Sequence, residues 1–229
     1  MEHYNYHIIT TLVLSLVSWE TLFRFTTRFL SNRSFVFCNR IISIIHASLA
    51  VTLASLSVQD WTCPFCPLAS KASPLQMQTM VISLGYMVHD LVCCLYYEEI
   101  KGSDVLHHLV TCIGLGTGLL YQMCGSELVG ALWVSEISGP FDDLRVILKE
   151  LGYRDTNLNL AVDICFAVIF SIARMIGSTY LMYLTVSAHN NPILIKAMSV
   201  GLQTVSTFWF YRLVRFWTFK FSNITKSKT

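Results

Sequence analysis

The chain has 229 residues, of which 54% are hydrophobic and only 13% charged, a balance too apolar for a soluble domain of this length. The formal charge of +2 comes without any basic block of the kind that forms a nucleic-acid arm, which excludes nucleic acid as a partner. What remains is an integral membrane protein, all-α because only helices satisfy their own backbone in lipid at this composition.

Taken in order, the chain opens on MEHYNYHIITTLVLSLVSWETLF, which lacks a basic n-region and a small-residue cleavage site and so reads as a retained first span. Apolar runs of about 20 residues then predict seven spans, over Ile8–Phe25, Ile41–Val58, Leu75–Tyr97, Val105–Tyr121, Leu128–Phe141, Leu158–Leu184 and Ile193–Phe219. The fifth is short, and the sixth and seventh exceed what a bilayer requires, so tilt is expected. Between the fifth and sixth, DDLRVILKELGY sets Leu144, Ile147, Leu148 and Leu151 among charges, the pattern of a short amphipathic helix on the membrane surface that Gly152 would stop.

Orientation follows from the connections, because Lys and Arg stay in the cytoplasm during insertion. Arg24, Arg28, Arg33, Arg40, Lys101, Arg145, Lys149, Arg154, Arg212, Arg215, Lys220, Lys226 and Lys228 fall on one side, and only Lys71 and Lys196 on the other. Thirteen against two places the amino terminus in the lumen or outside and the carboxyl terminus in the cytoplasm. The sequons at Asn32 and Asn223 then face the cytoplasm and should carry no glycan. The loop DWTCPFCPLASKASP lies opposite and holds Cys63 and Cys66, placed for a local disulfide in an oxidising lumen. A redox role or a zinc site lacks the surrounding elements or the second ligand pair, and no metal is expected. Cys93, Cys94, Cys112 and Cys165 sit in apolar runs and read as small core residues.

The intramembrane polar residues gather at one depth. Glu20, His46, His89, Asp90, His107, His108, Glu136 and Asp163 all fall in the cytoplasmic half of their spans. Arg174 is deeper, three turns from Asp163 on the same face. Residues that merely reach for the interface should populate both faces, so a shared polar cavity is expected. His107 and His108 open the fourth span, with Thr111, Gly114 and Gly118 continuing the face of His107 and leaving room for a close neighbour. The pair alone also fits interfacial residues at the headgroup boundary. Three uses of the cavity are open: His and acid as base or nucleophile in acyl transfer, the same groups holding a lipid headgroup, or a structural network fastening helices.

The succession NRIISIIHA, GYMVHDLV, DVLHHLVT, SEISGPFDDLRVILKELG and then Arg174-Met175-Ile176-Gly177 resembles the TLC domain family, the TRAM, LAG1 and CLN8 homology domain. The likeness is to its small multipass members with one extra amino-terminal span more than to the ceramide synthases. It implies residues 1–39 as a first span with its linker, 40–220 as the TLC domain and 221–229 as a cytoplasmic tail. It further implies spans two to seven as a six-helix bundle around a lipid-sized cavity, and a role in lipid binding and membrane lipid homeostasis, in the endoplasmic reticulum or another endomembrane. His46, Asp90, His107, His108, Thr111, Glu136, Asp163 and Arg174 are the expected lipid-binding set, with membrane lipids as partners, no cofactor, and room for a homo-oligomer. In ceramide synthases the paired histidines belong to the acyltransferase site, so His107 and His108 would be catalytic, and acyl-CoA a substrate, if the chain were an acyltransferase. The D-x-x-D pattern of the ceramide synthases departs here to Glu136 followed by Gly139, and the E-I-S-x-P form is shared with relatives proposed as membrane-lipid regulators.

Overall fold

The computed structural model describes residues 2–96 and 102–226, without the side chains of residues 2–5 and 220–226. Tyr97, Lys101 and Lys228, which entered the span limits and the charge bias above, lie outside the described residues. Among the described residues the chain is all-helical and has no strand, with one isolated bridge between Lys71 and Met123.

The helices are α1 (Glu2–Phe29), α2 (Phe35–Ser57), α3 (Pro74–Tyr96), α4 (Gly102–Tyr121), α5 (Gly125–Glu136), α6 (Gly139–Glu150), α7 (Asn157–Phe170), a π-helical segment at Ser171–Gly177, α8 (Ser178–Ser187) and α9 (Ile193–Lys226). Their starts follow local signals. Ser34 caps α2 by accepting from Phe37 N at 3.0 Å, and Thr156 caps α7 by accepting from Asn159 N at 3.3 Å. At α3 Ser73 and Gln76 satisfy each other's backbone in a capping box ahead of Pro74. Helix α6 ends as the sequence requires: Gly152 has φ +87°, with Tyr153 N donating to Leu148 O and Gly152 N to Lys149 O.

Among the described residues, five helical stretches are long and apolar enough to cross a membrane: Tyr6–Phe29, Phe35–Ser57, Pro74–Tyr96, Asn157–Ser187 and Ile193–Phe219. Helix α4 has 20 residues but carries Asp104, His107 and His108. The fifth expected span, Leu128–Phe141, is corrected. Helix α5 stops at Glu136 after 12 residues, about 18 Å by helical rise and well short of a bilayer core. Pro140 starts α6 there, so the amphipathic helix begins three residues earlier than its charge pattern suggested. Helix α2 begins at Phe35 rather than Ile41, which moves Asn39 and Arg40 from a connection into a helix. Helix α4 begins at Gly102, so His107 and His108 lie in its second turn, and His107 is buried.

A core of Met77, Met80, Leu84, Leu115, Leu128 and Leu132 joins α3, α4 and α5. Leu120, Phe29, Ile193 and Ile176 point outward and are mostly exposed, as lipid-facing residues would be. One end of the bundle is tied by the 58–73 loop, where Cys63 and Cys66 are bonded, Cys124 N donates to Ser70 O, and Cys124 Sγ reaches Asn191 Oδ1 at 3.1 Å. Helix α1 lies against α3. Ser15 Oγ and Trp19 Nε1 both donate to Ile82 O, at 3.0 and 3.4 Å.

This contact depends on Gly85, where a Cβ would lie 2.3 Å from Ser15 Oγ and 3.3 Å from the backbone of Leu16. Gly85→Leu should therefore prise α1 from α3 and cost ~1–3 kcal/mol, read as a lowered melting temperature in detergent. Gly116→Ala, which meets nothing within 4 Å, is the control. Equal melting of the two variants would mean that α1 is not packed on α3.

Candidate functional site

At the end of the bundle away from the disulfide loop, a cavity of about 410 Å3 lies among α2, α3, α4, α6, α9 and the π-helical segment. Its centre is a bonded chain of three helices. Asp90 on α3 takes Asn39 Nδ2 of α2 at 2.8 Å on one carboxylate oxygen and His108 Nε2 of α4 at 2.8 Å on the other. The other ring nitrogen, His108 Nδ1, lies 2.7 Å from Asp104 O. A carbonyl can only accept, so Nδ1 carries hydrogen. With Nε2 against a carboxylate, a further proton is shared within the Asp90–His108 pair.

His107 turns to the opposite wall. Its ring is 5.5 Å from that of His108 and 5.0 Å from Trp209. Trp209 and Phe170 in turn flank the guanidinium of Arg174, at 5.4 and 5.7 Å. Arg174 Nη2 donates to Ser135 O at 2.6 Å and Nη1 to Ser206 Oγ at 3.4 Å. Phe166, Phe170 and Arg174, four residues apart each time, share one helix face, and Arg174 lies in the π-helical segment, a kind of turn that occurs frequently at functional sites. Nearer the mouth Arg40 Nη1 is 2.8 Å from Asp143 Oδ1, and Arg145, Lys149 and Arg212 line the opening.

A second, apolar cavity of about 50 Å3 runs deeper between α4, α5, α8 and α9, lined by Thr111, Gly114, Leu128, Ile195, Met198 and Leu202. The two cavities share Ser135 and Glu136. Glu136, the last residue of α5, also approaches His46 Nδ1 at 3.7 Å. His46 is 1% exposed, stacked on Tyr86 at 3.7 Å with the edge of Trp19 at 5.7 Å.

A family model for the TLC domain matches residues 36–215, from the first turn of α2 into α9. The chain belongs to the TLC-domain family. It is accordingly a multipass membrane protein of a lipid-related family, and the match leaves α1 outside the shared domain.

Within this TLC domain, Asp90, His107, His108, Glu136 and Arg174 line the larger cavity, and Thr111 and Glu136 the smaller. His46 stands behind Glu136 and lines neither. Asp163 is buried one turn before Phe166, with Asn159 Nδ2 at 3.4 Å, and also lines neither. The structure adds Asn39, Arg40, Tyr86, Cys94, Asp143 and Trp209 to the lining. Asp90, Cys94 and His108 bring ligand-type atoms within 4.8 Å of one another. The ring meets Asp90 with Nε2 and Cys94 with Nδ1, so a single ion could take only one of those nitrogens.

Asp143 sits on α6, outside the long apolar helices, and burial pushes its carboxyl up to about 7, although Arg40 beside it works the other way. Above the ordinary carboxylate range the folded chain keeps a proton that the unfolded chain has lost. Stability therefore falls as pH rises toward about 7 and levels off once Asp143 ionises beside Arg40. In Arg40→Met the counter-charge is gone and the proton is held to higher pH, so the fall continues. The melting-temperature gap between wild type and Arg40→Met should widen between about pH 6 and about pH 8; a constant gap would mean that Asp143 does not depend on Arg40.

Proposed function

We propose that this TLC-domain protein binds a membrane lipid, with the headgroup in the 410 Å3 cavity and an acyl chain reaching into the apolar one, and contributes in this way to membrane lipid homeostasis. The observation that carries the reading is that a space lined by charged groups and one lined by Leu128, Ile195 and Met198 adjoin at Ser135 and Glu136, which line both. An amphiphile has the same change of character along its length. Arg40, Arg145, Lys149 and Arg212 around the polar part suit a phosphate-bearing or other anionic headgroup.

The bias of Lys and Arg supports a cytoplasmic mouth with the amino terminus in the lumen, and the family likeness supports an endomembrane such as the endoplasmic reticulum. A second reading, acyl transfer from acyl-CoA, is favoured by the 2.8 Å contact of Asp90 with His108, which orients a histidine beside the cavity as an acid orients a general base. His107, packed against Trp209, suits a binding role better.

Native mass spectrometry with lipidomics on protein purified in mild detergent tests the binding reading. Ala131→Trp would fill the apolar cavity from α5 and should lower lipid occupancy about tenfold, equivalent to ~1.4 kcal/mol. Wild type without co-purified lipid, or a variant as fully occupied as wild type, would overturn it. Acylated product from a sphingoid base and acyl-CoA would favour the second reading.

A further inference from the structure

The apolar cavity holds a carboxylate at the end away from the charged groups. Glu127 lies in the first turn of α5, lines the cavity with Leu128 and Thr185 and is 2% exposed. Its Oε1 has a structural task, accepting from Ala69 N of the disulfide loop at 2.6 Å. Its Oε2 is buried without a hydrogen-bond partner. The polar groups around it are engaged elsewhere. Thr185 Oγ1 donates to Leu181 O at 2.8 Å. Asn191 is near enough to act on the carboxylate, but its Nδ2 is directed at Thr185 O, 2.9 Å away, and its Oδ1 takes Cys124 Sγ. An unmet carboxylate oxygen beside Leu128, Leu181 and Ile195 is costly, and a slot for a wholly saturated tail gains nothing from it.

We propose that Glu127 binds a hydroxyl at the far end of the ligand's chain, so that the two cavities together take an amphiphile with a phosphate-bearing headgroup and an ω-hydroxylated chain. This rests on the reading that the cavities admit one lipid between them. The hydroxyl donates to Oε2, while Ala69 N stays on Oε1 and keeps the carboxylate in place. Other chain ends suit the position less well. An ammonium brings three donors to one free acceptor, a terminal carboxylate would meet like charge, and a methyl leaves the oxygen unmet. The spacing selects the chain length. Glu127 and Glu136 are nine residues apart on α5, about 13.5 Å by helical rise, which an extended chain of about twelve single-bonded carbons spans.

The test sets two lysophosphatidic acids, one carrying dodecanoate and one 12-hydroxydodecanoate, in competition for the full chain in mild detergent, with occupancy read by native mass spectrometry. The hydroxylated chain is the less hydrophobic of the two, so a slot without a partner for its hydroxyl would favour the plain chain. Wild type is expected to favour the hydroxylated probe by about tenfold, and Glu127→Leu to favour the plain one. The first comparison is made within wild type, so it holds whether or not the variant folds. Equal retention of the two probes by wild type, or preference for the plain chain, would overturn the proposal and leave the binding reading standing. A hydroxyl preference that persists in Glu127→Leu would put the hydroxyl elsewhere and overturn it as well. Retention of neither probe would remove the binding reading and the proposal together.

Discussion

An ionised carboxylate inside an apolar helix bundle is costly unless its oxygens are met by donors. Asp90 is 7% exposed, and its two oxygens are taken by Asn39 from α2 and His108 from α4. Three helices are thereby fixed in register at one depth, by contacts whose loss would strand a buried charge. That constraint determines which wall of the cavity His107 can occupy. With one histidine held on Asp90, its neighbour points about 100° away, toward α9 and Trp209.

Two departures from regular helix then bring the remaining groups to the same place. Helix α5 ends at Glu136 and Pro140 opens α6, so the chain turns there, leaving Glu136 in the lining of both cavities and setting Asp143 of α6 against Arg40 of α2. On the far wall the π-helical segment carries Arg174, whose guanidinium lies 5.7 Å from the Phe170 ring. The guanidinium is satisfied by Ser135 O from α5 and Ser206 from α9, which repeats the logic of Asp90: a buried charge serves as the joint between helices and as part of the cavity wall.

This logic explains what could be read from the residues. Ionisable groups are conspicuous in apolar runs, so Asp90, His107, His108 and Glu136 stood out at a common depth with Arg174 deeper, and all five line one cavity. Depth is not direction, however. These helices are apolar on nearly every face, and nothing in the pattern told that His46 points behind Glu136 toward Tyr86 or that Asp163 stays with Asn159. Arg40 counted as a loop charge because Phe35, Val36 and Phe37 ahead of it were not read as the first turn of α2; the signal was present in the Ser34 cap. Cys94 was hidden by its chemistry, since a thiol beside a thiol in an apolar run is usually filler. Only the placement of His108 across from it gives the sulfur a partner.

The two ends of the bundle also differ in a way that bears on how a ligand would enter. At the disulfide end the 58–73 loop is fastened inward: Ala69 N donates to the buried Glu127 at 2.6 Å, Ser126 Oγ donates to Cys66 O at 3.2 Å, and Phe65 presses so close to α5 that a Cβ on Gly130 would meet its ring at 2.5 Å. Glu127 lines the deep end of the apolar cavity, so this fastening stands where an acyl chain would end. The charged groups of Arg40, Asp90, Asp143 and Arg212 gather at the other end, where α6 rather than a bonded loop covers the opening. A chain threaded tail-first past those charges would stop against the fastened end with its polar group beside His108 and Cys94.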